Sequence, residues 1–154
     1  MKSVRNLLLC VGLIAAGLMG GASTADAGYR QYYSSWTYYP SNSYYYTTYY
    51  YKPTPTYSSY NYHYCIHYPS QPRYVYYYNP HSHHYWGRLD LESKDPTKAY
   101  SILKPEDRKE KLADIPEAAF PAPAAMPKIP DATDDVQIEP VKDVPGKDLP
   151  PAAK

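Results

Sequence analysis

Acids and aliphatic side chains are what this chain lacks where its rings are densest. Between Tyr29 and Trp86 there is no Asp or Glu. Apart from tyrosine, the only large apolar side chains of residues 28–87 are Trp36, Ile66, Val75 and Trp86. A conventional aliphatic core is excluded there. Cysteine is nearly absent: Cys10 and Cys65 are the only two. Cys10 falls in an N-terminal stretch expected to be removed, so Cys65 stands alone and no internal disulfide framework can form. In an oxidising compartment its options are a covalent homodimer, a free thiol or a metal ligand. Base is also sparse. Arg30, Lys52 and Arg73 are the only cations of residues 28–86, too few for a footprint that tracks phosphates, so nucleic acid is not an expected partner. No glycine-rich phosphate loop appears.

What fills the space is tyrosine: 21 of the 22 lie within residues 29–86. Each brings a large ring and one hydroxyl, so a surface rich in them holds other rings, cations and polar polymers. Packing must be ring on ring, where a well-placed pair adds about 0.5–1.5 kcal/mol beyond its area. Each ordered residue costs roughly 1–2 kcal/mol of backbone entropy, so an isolated monomer is expected to be marginal. The charge is split as well. Residues 28–86 carry three bases and no acid, and residues 87–154 carry 14 acids against 11 bases.

The N-terminus reads as an export signal. Lys2 and Arg5 precede an apolar run over residues 7–19, and Ala25-Asp26-Ala27 has the small–x–small form of a cleavage site, with Gly28 as the first mature residue. The run is shorter than the roughly 20 residues of a spanning helix, so no transmembrane anchor is expected after cleavage. The expected location is periplasmic, cell-envelope or extracellular.

Residues 28–59 form a Tyr/Ser/Thr low-complexity segment with a loose period near six, which is either a short repeat or compositional bias. Tyr and Thr favour extended backbone and Pro40, Pro53 and Pro55 interrupt it, so short strands are allowed and helix is excluded. Residues 60–68 alternate, with Tyr60, Tyr62, Tyr64, Ile66 and Tyr68 on one side and Asn61, His63, Cys65 and His67 on the other. A turn at Pro69-Ser70-Gln71-Pro72 leads to a second run over 73–78, ended by Asn79-Pro80, and a third run spans 84–91. These define a small antiparallel β element over residues 60–91. Residues 92–115 read as a linker with one short charged helix beginning at Pro105-Glu106-Asp107. Residues 116–154, where prolines recur among Ala, Asp and Lys, read as a disordered spacer. The expected fold class is a largely irregular or disordered chain. It has an N-terminal signal helix, a few short antiparallel β strands in the Tyr-rich segment, one short charged helix and a disordered Pro-rich C-terminal tail.

The Tyr/Ser/Thr block over residues 44–67 and Tyr85-Trp86-Gly87-Arg88 carry a resemblance. So do Tyr100-Ser101-Ile102-Leu103 with Glu106-Asp107-Arg108, Asp114-Ile115-Pro116-Glu117, Met126-Pro127, Ile129-Pro130 and Ala132-Thr133-Asp134. The chain resembles a group of tyrosine-rich exported proteins of planctomycete bacteria, over most of its length beyond the signal. The resemblance implies export and a bacterial source, and brings no activity, cofactor or site residue with it.

His63-x-Cys65-x-His67 is the sharpest local pattern. Residues two apart on a strand share a face about 6.5–7 Å apart, and with the His81-Ser82-His83-His84 turn they offer imidazole and thiolate ligands for copper or zinc. The plainer reading has these histidines filling polar positions in an acid-free segment. A nucleophilic Cys65 needs a base and an orienting acid, and the segment holds no acid. The acids of the second half read as solvated charge. No enzyme is expected. The leading expectation is an exported non-catalytic structural or adhesive protein of the cell envelope or matrix, acting through exposed tyrosines by self-association or contact with envelope polymer. The alternative is a periplasmic transition-metal-binding module using His63, Cys65, His67, His81, His83 and His84.

Overall fold

Seven antiparallel strands take up most of the tyrosine-rich half and join it to residues beyond it. The computed structural model describes residues 30–146; the stretch expected to form an export signal and its helix, with the expected cleavage positions Ala25, Ala27 and Gly28, lies outside the described residues. The strands are β1 (Gln31–Tyr33), β2 (Thr37–Tyr39), β3 (Tyr44–Tyr51), β4 (Asn61–His67), β5 (Tyr74–Asn79), β6 (His84–Asp90) and β7 (Tyr100–Ile102). They lie in the order β1-β3-β4-β5-β6-β7, with β2 also paired to β3. β1 pairs with the end of β3 and β2 with its beginning, so the two short strands share one side of it.

The runs foreseen at 60–68, 73–78 and 84–91 are present as β4, β5 and β6. Their turns follow from local chemistry. Asn79 Oδ1 accepts the backbone N–H groups of His81 and Ser82 at 2.8 and 3.3 Å, which closes the β5–β6 turn as an Asx turn. Pro40-Ser41-Asn42 turns β2 into β3, with Ser43 in the left-handed region at φ 53°. β6 and β7 approach closely at Gly87, where an added Cβ would sit 2.8 Å from the Ser101 carbonyl oxygen. Only glycine fits that crossing without moving backbone.

Two expectations are corrected. The chain is not largely irregular: among the described residues it is sheet-rich. The charged helix from Pro105 is absent too, and short 3₁₀ turns at Pro105–Asp107, Leu112–Asp114 and Glu117–Ala119 stand in its place. Leu112 and Ile115 are drawn onto the sheet instead, with Phe120 beyond them.

The proline-rich tail is corrected as well. Through residue 146 it is ordered and forms the second layer of the fold. Met126, Ile129, Ile138 and Val141 are buried against one face of the sheet with Tyr49, Tyr51, Cys65, Val75, Tyr77 and Trp86. The residue before a proline is driven to extended backbone, so Met126-Pro127 and Ile129-Pro130 present their apolar side chains without needing a helix. Fully burying one such side chain is worth about 1.5–3 kcal/mol, and four of them offset much of the ordering cost.

Backbone groups are satisfied on the way. Tyr100 and Ala124 exchange hydrogen bonds of 3.1 and 2.7 Å, and the tail folds on itself through Ile129 N–H to Val136 O (2.9 Å) and Ile138 N–H to Pro127 O (3.0 Å). Side chains of β1 and the turn after it donate to tail carbonyls: Gln31 to Gln137 (2.9 Å), Tyr33 to Glu139 (2.6 Å) and Trp36 to Lys142 (3.0 Å). The tail thus pairs its backbone with β7 at Tyr100 and takes side-chain bonds from the β1 end of the sheet.

Candidate functional site

Alternation along the strands makes two unlike faces. On β4 the odd positions His63, Cys65 and His67 face the tail, and the even positions Tyr62, Tyr64 and Ile66 face the other way. On β3, Tyr49 and Tyr51 join the tail side and Tyr44 and Tyr46 the opposite side.

The second face is tiled with tyrosine. Over β5 and β6 it is covered by the 105–120 segment, whose Leu112, Ile115 and Phe120 pack on Tyr76 and Tyr85. Arg88 fastens this cover. Its guanidinium lies 3.9 Å from the ring centres of both Tyr74 and Phe120 and bonds Glu117 at 2.8 and 2.5 Å. A nearly buried cation needs that pairing. In return, the bond from Arg88 holds the Glu117 carboxyl below its usual range.

Over β1–β4 no such cover is present among the described residues, and the rings lean on one another. Tyr32 stacks on Tyr50 at 4.8 Å, Tyr50 meets Tyr62 at 6.2 Å, and Tyr62 meets Tyr64 at 5.8 Å. Tyr64 meets Tyr46 at 5.9 Å, Tyr46 meets Tyr44 at 6.4 Å, and Tyr44 meets Tyr39 at 5.5 Å. Most contacts are tilted or edge-on, which suits the ring quadrupoles. Tyr32 and Tyr39 remain 46% and 44% exposed at the two ends of the row. A shallow groove of about 190 Å³ opens along it, lined by Tyr39, Tyr44, Tyr46, Tyr64 and Ile66. Lys52 sits 4.7 Å from the centre of the Tyr60 ring.

Fewer rings point outward than their number suggests. Among the described residues six tyrosines are buried, four are exposed and the rest are half-buried.

The His-x-Cys-x-His row is on the sealed side. Cys65 is fully buried, and burial pushes its thiol well above the usual range, which disfavours the thiolate that metals and nucleophilic chemistry require. An intermolecular disulfide through Cys65 would need the tail to lift away. His63 is packed against Tyr51 and Trp86 at ring separations of 5.2 and 5.7 Å. Burial, with His81 and His84 nearby, lowers its pKa to about 4, so its ring is neutral near pH 7. His67 Nδ1 meets the Tyr74 carbonyl at 3.0 Å, and a ring nitrogen in that contact donates. His81 leans on Tyr62 at 5.1 Å, on the opposite face of the sheet from His63. His83 is exposed in the turn, and His84 Nε2 meets Ser82 Oγ at 3.1 Å. Among the described residues no three His, Cys, Asp or Glu side chains converge where one metal ion could be held.

Three acids that read as solvated are structural partners. Asp134 pairs with Arg30, which is buried and also donates to the Pro53 carbonyl. Asp90 takes two bonds from Arg73 at 3.0 and 2.6 Å, and Glu117 takes Arg88. For Asp134 and Asp90 the signal was in the charge split, since they pair with bases of residues 28–86, whereas Arg88 and Glu117 both belong to the second half.

No protein-family model, curated protein or solved structure matches this chain. Among the described residues no helix is long and apolar enough to cross a membrane.

Proposed function

We propose that this chain is an exported, non-catalytic structural or adhesive protein of the bacterial cell envelope or extracellular matrix, and that the open tyrosine row is its working surface. The observation that carries the reading is the run of rings from Tyr39 to Tyr32, packed on one another and left uncovered by the segments that seal the rest of the sheet. A ring-lined face left without a cover reads as a contact surface rather than a core. Its phenol rims donate and accept hydrogen bonds while the ring faces take up apolar edges. A hydroxyl-rich, weakly charged polymer fits that combination. The export signal read at residues 1–27 and the resemblance to exported tyrosine-rich proteins of planctomycetes agree with the location. The metal-module alternative has no comparable observation behind it.

The test is co-sedimentation of the full chain with isolated envelope polysaccharide. Wild type pellets with the polymer, and Tyr32→Ser with Tyr39→Ser weakens this several-fold at an unchanged Tm. Equal pelleting of the double variant, or none by wild type, overturns the reading. Concentration-dependent association without polymer would assign the row to copies of the chain itself.

A further inference from the structure

One pair of rings at the β1 end of the sheet differs from the other pairs of the open row. Tyr32 and Tyr50 stand directly opposite each other in the β1–β3 ladder, so both side chains rise side by side from the same face. Their ring centres are 4.8 Å apart and their planes differ by only 18°. Desolvation, and then Tyr50 and Tyr60, raise the Tyr32 phenol, the electrostatic mark of neighbouring hydroxyl groups.

Among the described residues two further ring pairs stack in this way, Tyr49 with Tyr51 and Tyr77 with Trp86. All four of those side chains are buried on the tail side. Tyr32 is exposed and Tyr50 half-buried. Theirs is therefore the near-parallel tyrosine pair that a reagent in solvent can reach. The other exposed phenols nearby are placed differently. Tyr60 meets Tyr32 at 5.0 Å but edge-on, at 81°, and Tyr57 stacks on no ring among the described residues.

This geometry matters for one reaction of phenols. In a phenoxyl radical the unpaired electron is shared between the oxygen and the ring carbons ortho and para to it. The para carbon of tyrosine carries the side chain, so two such radicals couple at their ortho carbons, Cε. Near-parallel planes let those carbons meet face to face, which an edge-on approach does not.

We infer that Tyr32 and Tyr50 are an oxidative coupling site, which closes a dityrosine staple between β1 and β3 when a peroxidase-type one-electron oxidant is supplied with hydrogen peroxide. Each phenol gives one electron and its hydroxyl proton to the oxidant. The two radicals join through a new Cε–Cε bond. Each ring then loses its Cε proton and regains one on oxygen, through water, which restores both phenols. The pair loses two hydrogen atoms in all, and one hydrogen peroxide is reduced to two waters. Rings already in contact couple ahead of rings on separate copies, because contact within one chain does not depend on its concentration. The bond ties β1, a strand of three residues, to the longer strand β3.

The test treats the purified full chain, dilute enough to be monomeric, with a peroxidase and limiting hydrogen peroxide. Denaturing electrophoresis then separates coupling within a chain from coupling between chains. Dityrosine fluorescence is expected in the monomer band of wild type, and most of it should be lost in Tyr32→Phe and in Tyr50→Phe. Phenylalanine keeps the ring and its packing, so these variants remove the phenol and leave the fold. Tyr57→Phe and Tyr60→Phe, which remove exposed phenols outside the stack, should keep the monomer signal. The coupled monomer should also unfold at a higher urea concentration than untreated chain, because a cross-link between residues 32 and 50 restricts the unfolded state. That gain should be absent from Tyr50→Phe treated alike. No fluorescence in the wild-type monomer band, fluorescence confined to larger species, full signal in Y50F, or an equal loss in Y60F would overturn the proposal. So would an unchanged urea midpoint in the coupled monomer. No polymer takes part in this readout, so failure here leaves the co-sedimentation test standing, and the reverse holds too.

Discussion

The two faces of one sheet have opposite fates, although alternating residues of the same strands build both. The face that carries His63, Cys65 and His67 is buried under the tail. The face that carries the row of tyrosines stays half open over β1–β4. Polarity of the side chains did not decide this; the availability of a cover did. Met126, Ile129, Ile138 and Val141 reach the histidine face, whereas Leu112, Ile115 and Phe120 reach only the β5–β6 side of the tyrosine face. Between prolines, a few well-spaced aliphatic side chains are enough to make a layer.

The strongest way to break the contrast is to loosen the tail. Ile129→Ala and Ile138→Ala should each cost about 2–5 kcal/mol, the range for an emptied buried aliphatic site, measured by urea unfolding. Little change in either would mean that the tail is not part of the cooperative unit.

The next effect is on pH. His63 has a folded pKa of about 4 against the ordinary imidazole value of 6.5, so the unfolded chain binds more protons between those values. Stability from keeping this imidazole neutral is therefore fully present above about pH 6.5. It falls as the pH drops toward 4 and changes no further below that. A few kcal/mol is at stake at most, and His63→Gln should flatten this window. The Asp90 and Glu117 carboxyls, lowered chiefly by their bonds from Arg73 and Arg88, add a second loss as pH falls through and below the ordinary carboxylate range. Arg88→Gln should reduce that later loss. Unfolding midpoints followed from pH 8 to 3 separate the two.

The smallest effect belongs to the open face. Tyr32→Ser and Tyr39→Ser should each change stability by within about 0.5 kcal/mol, as surface substitutions usually do. Tyr77→Ser, on the buried side against Trp86 at 4.8 Å, should cost several times more. Similar losses at all three positions would erase the distinction between the faces.

Much of the sheet was legible from pattern alone. The alternation at 60–68, the Asn79-Pro80 turn and the run at 84–91 each placed a strand correctly, because period two and turn chemistry are local. The tail was not legible by the same means, since proline recurrence resembles a disordered spacer whether or not a surface waits to receive it. Its signal lay in Met126-Pro127, Ile129-Pro130 and Val144-Pro145, where an apolar residue precedes each proline, and in the opposite charges of the two halves. Arg30 with Asp134 and Arg73 with Asp90 show what that imbalance was for. Which face of β4 would be sealed was also beyond the sequence, because the cover comes from residues 126–141, far along the chain from β4. The His-x-Cys-x-His spacing was read correctly as one face of a strand, but spacing does not reveal that this face is the core.

Reactivity of Cys65 tests the central claim most directly. In a Cys10→Ser variant of the full chain it is the only thiol. A layer sealed by the tail predicts that a disulfide reagent such as DTNB labels it slowly in native buffer, at a rate that follows unfolding and rises when Ile129 is truncated to alanine. Labelling of the folded protein at the rate of a free exposed thiol would contradict the account.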